Sequence, residues 1–267
     1  MPLVANARMY SASPGVKADW QNVLRWTLSR AGLDWTVLDH DPPAPLAALW
    51  RRGDLGRAMM CGLPYSGRQP RPLLIAAPVP SPPRYGDRPL YFTDLVVKAD
   101  SPFQRLEDTF GGTAGFTVED SFSGHIAFRR HLLQYRPAAG KPLYRRVVGG
   151  LVHARGVIDA LMAGRIDVGP LDSYYHDLLA RNEPQFAAGV RVVATTKAAP
   201  IPPLVATEAL DPAVVARLRD ALADASGAPD LAMQRERLLL ARFTVPNPSD
   251  YAALAEAQRE AESFEGW

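Results

Sequence analysis

Short apolar runs alternate with a stretch of helical period at the start of this chain, and a chain patterned that way has few means of burying both kinds of element. Leu3 to Met9 reads as a short strand, closed by the turn formers Tyr10-Ser11-Ala12-Ser13-Pro14-Gly15. From Val16, apolar residues recur at Trp20, Val23, Leu24, Trp26, Leu28 and Ala31, which is helical spacing, and Gly32 suits the helix end. Leu33 to Leu38 reads as a second strand. Pro42, Pro43 and Pro45 interrupt the chain before a short helix that ends near Gly53, and Leu55 to Cys61 reads as a third strand. This β-α-β-α-β opening predicts an α/β fold with a mostly parallel sheet flanked by helices, whose ligands gather at the carboxyl ends of the strands.

The pattern continues after a Pro- and Gly-rich stretch that contains the apolar run Leu73 to Val79. Strands are expected at Tyr91 to Lys98, Thr113 to Val118, Tyr144 to Val148, Ile166 to Leu171 and Val190 to Thr195. Helices are expected at Ser121 to about Tyr135, Val152 to Ala163 and Ser173 to Arg181. Prolines at 200, 202 and 203 suit an extended connection, Asp211-Pro212 starts a helix, and the C-terminal third reads as mostly helical. Two successive strand-helix series separated by extended segments predict two lobes.

Composition removes several classes of function. The formal charge of +2 is too small for a broad nucleic-acid face, so no nucleic-acid partner is expected. The single cysteine, Cys61, forms no internal disulfide and completes no zinc set, and the five histidines show no HExxH spacing, so neither metal nor other cofactor is expected. GxGxxG, GxxxxGK[ST] and GxSxG are absent, which disfavours dinucleotide, P-loop and nucleophile-elbow chemistry. There is no run of about 18 apolar residues to cross a membrane. The first ten residues lack a basic segment followed by an apolar one, so the chain as it stands is expected in the cytoplasm, or in the periplasm if a signal has been removed.

The strongest local signal is Val118-Glu119-Asp120-Ser121-Phe122-Ser123-Gly124-His125, placed between an expected strand and an expected helix. Ser121 or Ser123 would cap that helix, whose free amides and positive dipole end attract an anion. A plain serine cap is the competing reading, and Glu119 and Asp120 compete for the same positive potential. Tyr65, within Cys61-Gly62-Leu63-Pro64-Tyr65-Ser66-Gly67, follows a strand and either closes over a ligand or lies on a surface turn. Tyr10 stands in the equivalent place after the first strand. Asp172 is either a ligand-binding carboxylate or the cap of the next helix.

In order along the chain, "MMCGLPY" (59–65), "YFTDLVVKADSP" (91–102), "FQRLEDTFGGTAGFTVEDSFSGHIAFRRHL" (103–132), "GVIDALMAGRIDVGPLD" (156–172) and "VRVVATTKAAPIPPLVAT" (190–207) resemble the phosphate/phosphonate ABC-transporter substrate-binding proteins. The resemblance runs from Tyr10 to about Thr207. It implies the type II periplasmic-binding fold, with two α/β lobes joined by crossovers near Tyr91–Asp94 and Ala198–Pro203 and closing on a ligand. The lobes would be residues 1–92 with 199–267, and residues 93–198.

By position, the resemblance makes Ser121, Ser123 and Gly124 the family's Ser-Thr-Ser-Gly anion-binding helix start, Tyr65 a ligand-facing tyrosine and Asp172 a ligand-facing carboxylate, and Tyr10, from its place after the first strand, is expected to help select the rest of the ligand. His153 matches the histidine of a Gly-Ser-His motif with a shift of about one residue. Phe122 replaces the middle threonine and removes a hydroxyl donor, which predicts a larger, more apolar or carboxylate ligand. The partners implied are a small phosphonate, phosphate or carboxylate anion and an ABC permease, with the protein a monomer or weak dimer. Two other readings stay open on the same fold: a cytoplasmic enzyme of decarboxylase or cofactor-biosynthesis type, with His125, His153 or Asp172 as acid or base, and a ligand sensor.

Overall fold

The computed structural model describes residues 3–135, 141–264 and 266. Strand β1 (Val4–Asn6) is shorter than its apolar run, because the chain turns into a 3-10 helix at Arg8–Tyr10. Ser13 accepts a hydrogen bond from the Val16 amide and Pro14 presets the backbone, so α1 (Pro14–Arg30) starts there. Next come β2 (Thr36–Val37), α2 (Leu46–Trp50), β3 (Leu55–Met59), α3 (Gly62–Gly67) and β4 (Leu73–Pro80). After β5 (Leu90–Tyr91), β6 (Thr93–Lys98) and β7 (Thr113–Gly115), a π-helical turn at Phe122–Ile126 leads into α4 (Ala127–Leu132).

The chain continues through β8 (Arg146–Val148), α5 (Ala154–Met162), β9 (Gly169–Asp172), α6 (Ser173–Asn182), α7 (Pro184–Ala187) and β10 (Val190–Thr195). The remainder holds β11 (Ala199–Pro200), β12 (Leu204–Ala206), α8 (Pro212–Asp224), α9 (Ala232–Arg237), β13 (Leu240–Thr244) and α10 (Ala252–Glu262). Among the described residues no helix is long and apolar enough to cross a membrane.

Two compact units result, one of Met1–Leu90 with Pro200–Tyr251 and one of Tyr91–Ala199 with Ala252–Trp267. The chain therefore passes between units three times, where the resemblance implied two crossovers. The last segment differs from the expectation, which put residues 252–267 with the first lobe. Its helix α10 belongs to the second unit because Glu260 pairs with Arg130 at 2.6 Å, the Phe264 carbonyl accepts from Arg129 at 2.9 Å, and the Phe264 ring joins the core around Leu95, Phe128 and Tyr144.

The sheets also depart from the mostly parallel arrangement that strand-helix alternation suggests. In the first unit the order is β13-β4-β12-β3-β1-β2. β2 and β3 run parallel to β1, but β12 returns antiparallel between β3 and β4, and β13 lies antiparallel on β4. β13 falls in the stretch expected to be helical. In the second unit β6 is flanked antiparallel by β10 and β9, while β7 and β8 pair parallel. The antiparallel partners, β4 with β12 and β13 and β6 with β9 and β10, lie far apart along the chain, so no local turn sets their direction.

In the first unit α1 packs against α8 and α9, burying Val16, Trp20, Val23, Leu24 and Leu28, and Arg237 grips the buried carboxylate of Asp19 with two guanidinium nitrogens. One polar residue in this core is poorly matched. Arg57, on β3, is 0% exposed; its Nη2 donates to Thr27 Oγ1 at 2.8 Å and to the Leu24 carbonyl at 3.4 Å, while Nε and Nη1 have no partner among the described residues. Burial without a counter-ion pushes its pKa down to about 9. Arg57→Met keeps most of the volume and removes the desolvated charge, so urea unfolding is expected to show a stability gain of about 1–4 kcal/mol. A loss of stability in that variant would show the guanidinium to be fully compensated.

Candidate functional site

The expected anion-binding turn lies in the second unit and is a π-helical turn, not the regular first turn of an α-helix. The Ile126 amide bonds back five residues to the Ser121 carbonyl at 3.2 Å, and the Ser121 side chain caps the turn by accepting from the Gly124 amide at 3.0 Å. Ser121 Oγ keeps its own proton for a further acceptor. Gly124 must be glycine: a Cβ there would sit 1.9 Å from Thr117 Oγ1 and 2.8 Å from Ser121 Oγ, while the Gly124 carbonyl accepts from the Thr117 amide at 3.0 Å. Phe122 and Ser123 are both buried.

Asp172 meets this turn from the end of β9. One carboxylate oxygen caps α6 by accepting the Tyr174 and Tyr175 amides at 3.0 and 3.1 Å, and the other lies 3.4 Å from Ser123 Oγ, a long contact. The two readings of Asp172 are thus compatible in one geometry, since the cap and the contact with the turn use different oxygens.

Thr93, at the start of β6, supports the turn, and neither it nor the adjoining Asp94 was singled out by sequence. Thr93 Oγ1 donates to the Ser123 carbonyl at 3.1 Å, and the Thr93 amide donates to Thr196 Oγ1 at 3.0 Å. Asp94, 0% exposed, accepts from Thr195 Oγ1 and faces His176 Nδ1, each at 3.0 Å. The adjoining Phe92 amide donates to Ser173 Oγ at 2.9 Å, beside Asp172. The available signal was a Thr-Asp pair opening the apolar run Leu95-Val96-Val97, since polar residues buried in a strand need specific partners.

His153 is the cap of α5, its Nδ1 accepting from the Gly156 amide at 3.0 Å. The segment before it lies along the turn's neighbour, with the Leu151 and Val152 amides donating to the Phe116 and Thr117 carbonyls, each at 3.3 Å. Val152 holds φ at +67°, a conformation that a β-branched residue adopts at a cost on the order of 1–3 kcal/mol. His125 stacks on Phe116 with centroids 4.2 Å apart, and its Nδ1 lies 3.0 Å from the Glu119 carbonyl. The acid-base candidates His125, His153 and Asp172 therefore all have structural partners.

Tyr10 and Tyr65 belong to the first unit. Tyr10 ends the 3-10 turn after β1 and is buried. Tyr65 sits on helix α3, where a turn was expected, and is buried edge-on against Tyr251 with centroids 5.0 Å apart. Burial raises the pKa of its hydroxyl, so Tyr65 stays a neutral phenol at ordinary pH.

Thr93→Val removes the donor beneath Ser123 and is expected to weaken anion binding about tenfold, with Thr93→Ser restoring it; calorimetric titration of the two variants checks this. Equal affinities in both would remove Thr93 from the site. Burial also holds the His125 imidazole below its ordinary value of 6.5. The unfolded chain then takes up the proton first on acidification, so stability should fall as pH drops below about 6.5 and recover above it. His125→Gln should flatten that part of the curve in thermal unfolding between pH 7.5 and 5.5.

The family model described as ABC transporter, phosphonate, periplasmic substrate-binding protein matches residues 44–251. No curated protein sequence matches the chain. Among solved structures, a binding protein component of an ABC phosphonate transporter from Pseudomonas aeruginosa superposes with a TM-score of 0.79 at 17% identity, covering 98% of this chain and 87% of that one. PhnD1 from Prochlorococcus marinus in complex with methylphosphonate gives a TM-score of 0.79 at 16% identity, over 98% of both chains. A Xanthomonas citri protein bound to ATP gives 0.64 at 20% identity, over 98% of each. At these identities the structural likeness establishes the type II periplasmic-binding fold, and the family match, which spans most of the sequence, establishes that the chain belongs to the phosphonate ABC-transporter periplasmic substrate-binding proteins.

Proposed function

We propose that this protein binds a small phosphonate or phosphate anion at Ser121, Ser123 and Gly124 in the periplasm and presents it to an ABC permease. The observation that carries the reading is the capped turn itself. Ser121 is held by the Gly124 amide in a way that leaves its proton available, and Ser123 and Asp172 stand beside it. Methylphosphonate in the Prochlorococcus marinus relative supports the ligand class. Binding of this kind needs no covalent chemistry: a ligand with higher affinity for one conformer shifts the population toward it.

Asp172 stands next to Ser123, with one carboxylate oxygen 3.4 Å from Ser123 Oγ and the other accepting two α6 amides, so a ligand at Ser123 that carries a hydrogen, as a phosphonate monoanion does through its P–OH, has an acceptor beside it.

Titration with methylphosphonate, inorganic phosphate and acetate tests the proposal. Hydrogen bonds to a charged group contribute roughly 1.5–3 kcal/mol each, so Ser121→Ala with Ser123→Ala should cost methylphosphonate affinity on the order of 100-fold or more with the thermal transition retained. Unchanged affinity in the double variant would sink the assignment, and tight acetate binding without phosphonate binding would replace it with a carboxylate ligand.

A further inference from the structure

Phe122 puts a phenyl ring between the two serines of the turn, and that ring, 5% exposed, offers a ligand almost nothing in place of a hydroxyl. Another hydroxyl stands at the same turn. Thr117, two residues beyond β7, is held on both sides through its backbone. Its amide donates to the Gly124 carbonyl at 3.0 Å, and its carbonyl accepts from the Val152 amide at 3.3 Å.

The side chain that Gly124 lacks marks where the Thr117 hydroxyl points. A Cβ on Gly124 would stand 1.9 Å from Thr117 Oγ1 and 2.8 Å from Ser121 Oγ, so the two hydroxyls converge on one spot. Ser121 Oγ accepts from the Gly124 amide there and still has its own proton to give. Thr117 Oγ1 has no hydrogen-bond partner among the described residues, although Thr117 is only 6% exposed. That is unusual, because buried polar groups are nearly always paired. The oxygen is not sealed off either: the fully enclosed side-chain atoms that lack a partner, such as Trp20 Nε1 and Arg57 Nε, do not include it. An unused hydroxyl, held by a fixed backbone and open beside Ser121, is placed to meet an acceptor from outside the protein.

We infer that Thr117 is a third ligand-binding hydroxyl, which donates with Ser121 and Ser123 to the oxygens of a phosphonate or phosphate head group. This rests on the phosphonate reading of Ser121 and Ser123 and adds a member to that site. The donor that Phe122 takes away from the middle of the turn is returned from the strand side, one bonded neighbour across from Gly124. Three hydroxyls match the three oxygens of the phosphorus group, whereas a carboxylate presents two. The phenylalanine at 122 is then compatible with a phosphonate, and neither a larger nor a carboxylate ligand is needed to account for it.

Calorimetric titration of methylphosphonate into the wild-type protein, Thr117→Val and Thr117→Ser tests this. Valine keeps the branched shape and removes the hydroxyl, while serine keeps the hydroxyl and removes the methyl group. Thr117→Val is expected to bind about tenfold more weakly, and Thr117→Ser to stay close to wild type. Thermal unfolding verifies that both variants fold. If the valine methyl does not fit against Gly124, Thr117→Ala also lacks the hydroxyl, is smaller, and should show the same loss. Equal affinities in the serine variant and in those without a hydroxyl, whether unchanged or lowered together, overturn the inference. Methylphosphonate binding that still depends on Ser121 and Ser123 then leaves the phosphonate reading standing. Failure of the wild-type protein to bind either methylphosphonate or inorganic phosphate overturns that reading and the inference with it.

Discussion

Thr93 and Asp94 bury their polar groups where β6 runs between β9 and β10, and that burial obliges three other segments to come to them. The Ser123 carbonyl, the Thr195 and Thr196 hydroxyls and the His176 ring each meet one of the pair at 3.0–3.1 Å. Next to them Ser173 is locked onto Phe92, which fixes Asp172 one residue away. The separation between the serine turn and the Asp172 carboxylate is therefore set by the sheet, since both hang on the same two neighbouring strands. Loss of one of these bonds costs more than its own energy, because the abandoned partner remains buried.

The first unit treats a buried polar group differently. Arg57 lies among α1 and β3 with a hydroxyl and one long carbonyl contact, and two of its nitrogens find nothing. It organises no site, and burial lowers its pKa to about 9. The contrast shows why burial alone is a poor guide to function. Asp94 and Arg57 are both 0% exposed, but Asp94 joins Thr195 and His176 beside Thr93, which bonds the serine turn, whereas Arg57 meets only a hydroxyl and a carbonyl.

Attraction for an anion cannot come from the protein as a whole, whose formal charge is only +2. It has to come from short-range donors such as those near the turn, where Ser121 caps Gly124 and Ser123 lies beside Asp172. The π-helical turn opens a wider backbone ring at Phe122–Ile126.

Much of the organisation was legible in the sequence because it depends on local rules. Ser13-Pro14 and Asp211-Pro212 start α1 and α8 through caps and a preset backbone, and β10 keeps the bounds Val190–Thr195 that its apolar run suggests. The run of motifs from residue 59 to 207 likewise carried the family. What was not legible depended on partners remote in sequence. Whether strands run parallel, that Leu240–Thr244 pairs with β4 instead of coiling, and that α10 joins the second unit through Glu260 and Phe264 are decided by which surfaces meet. The same holds at the site. Sequence identified Ser121, Ser123, Gly124 and Asp172 as residue types suited to an anion, but Thr93 became visible only when β6 was brought against the turn. A hydrogen bond is a relation between segments, and its partners here lie tens of residues apart.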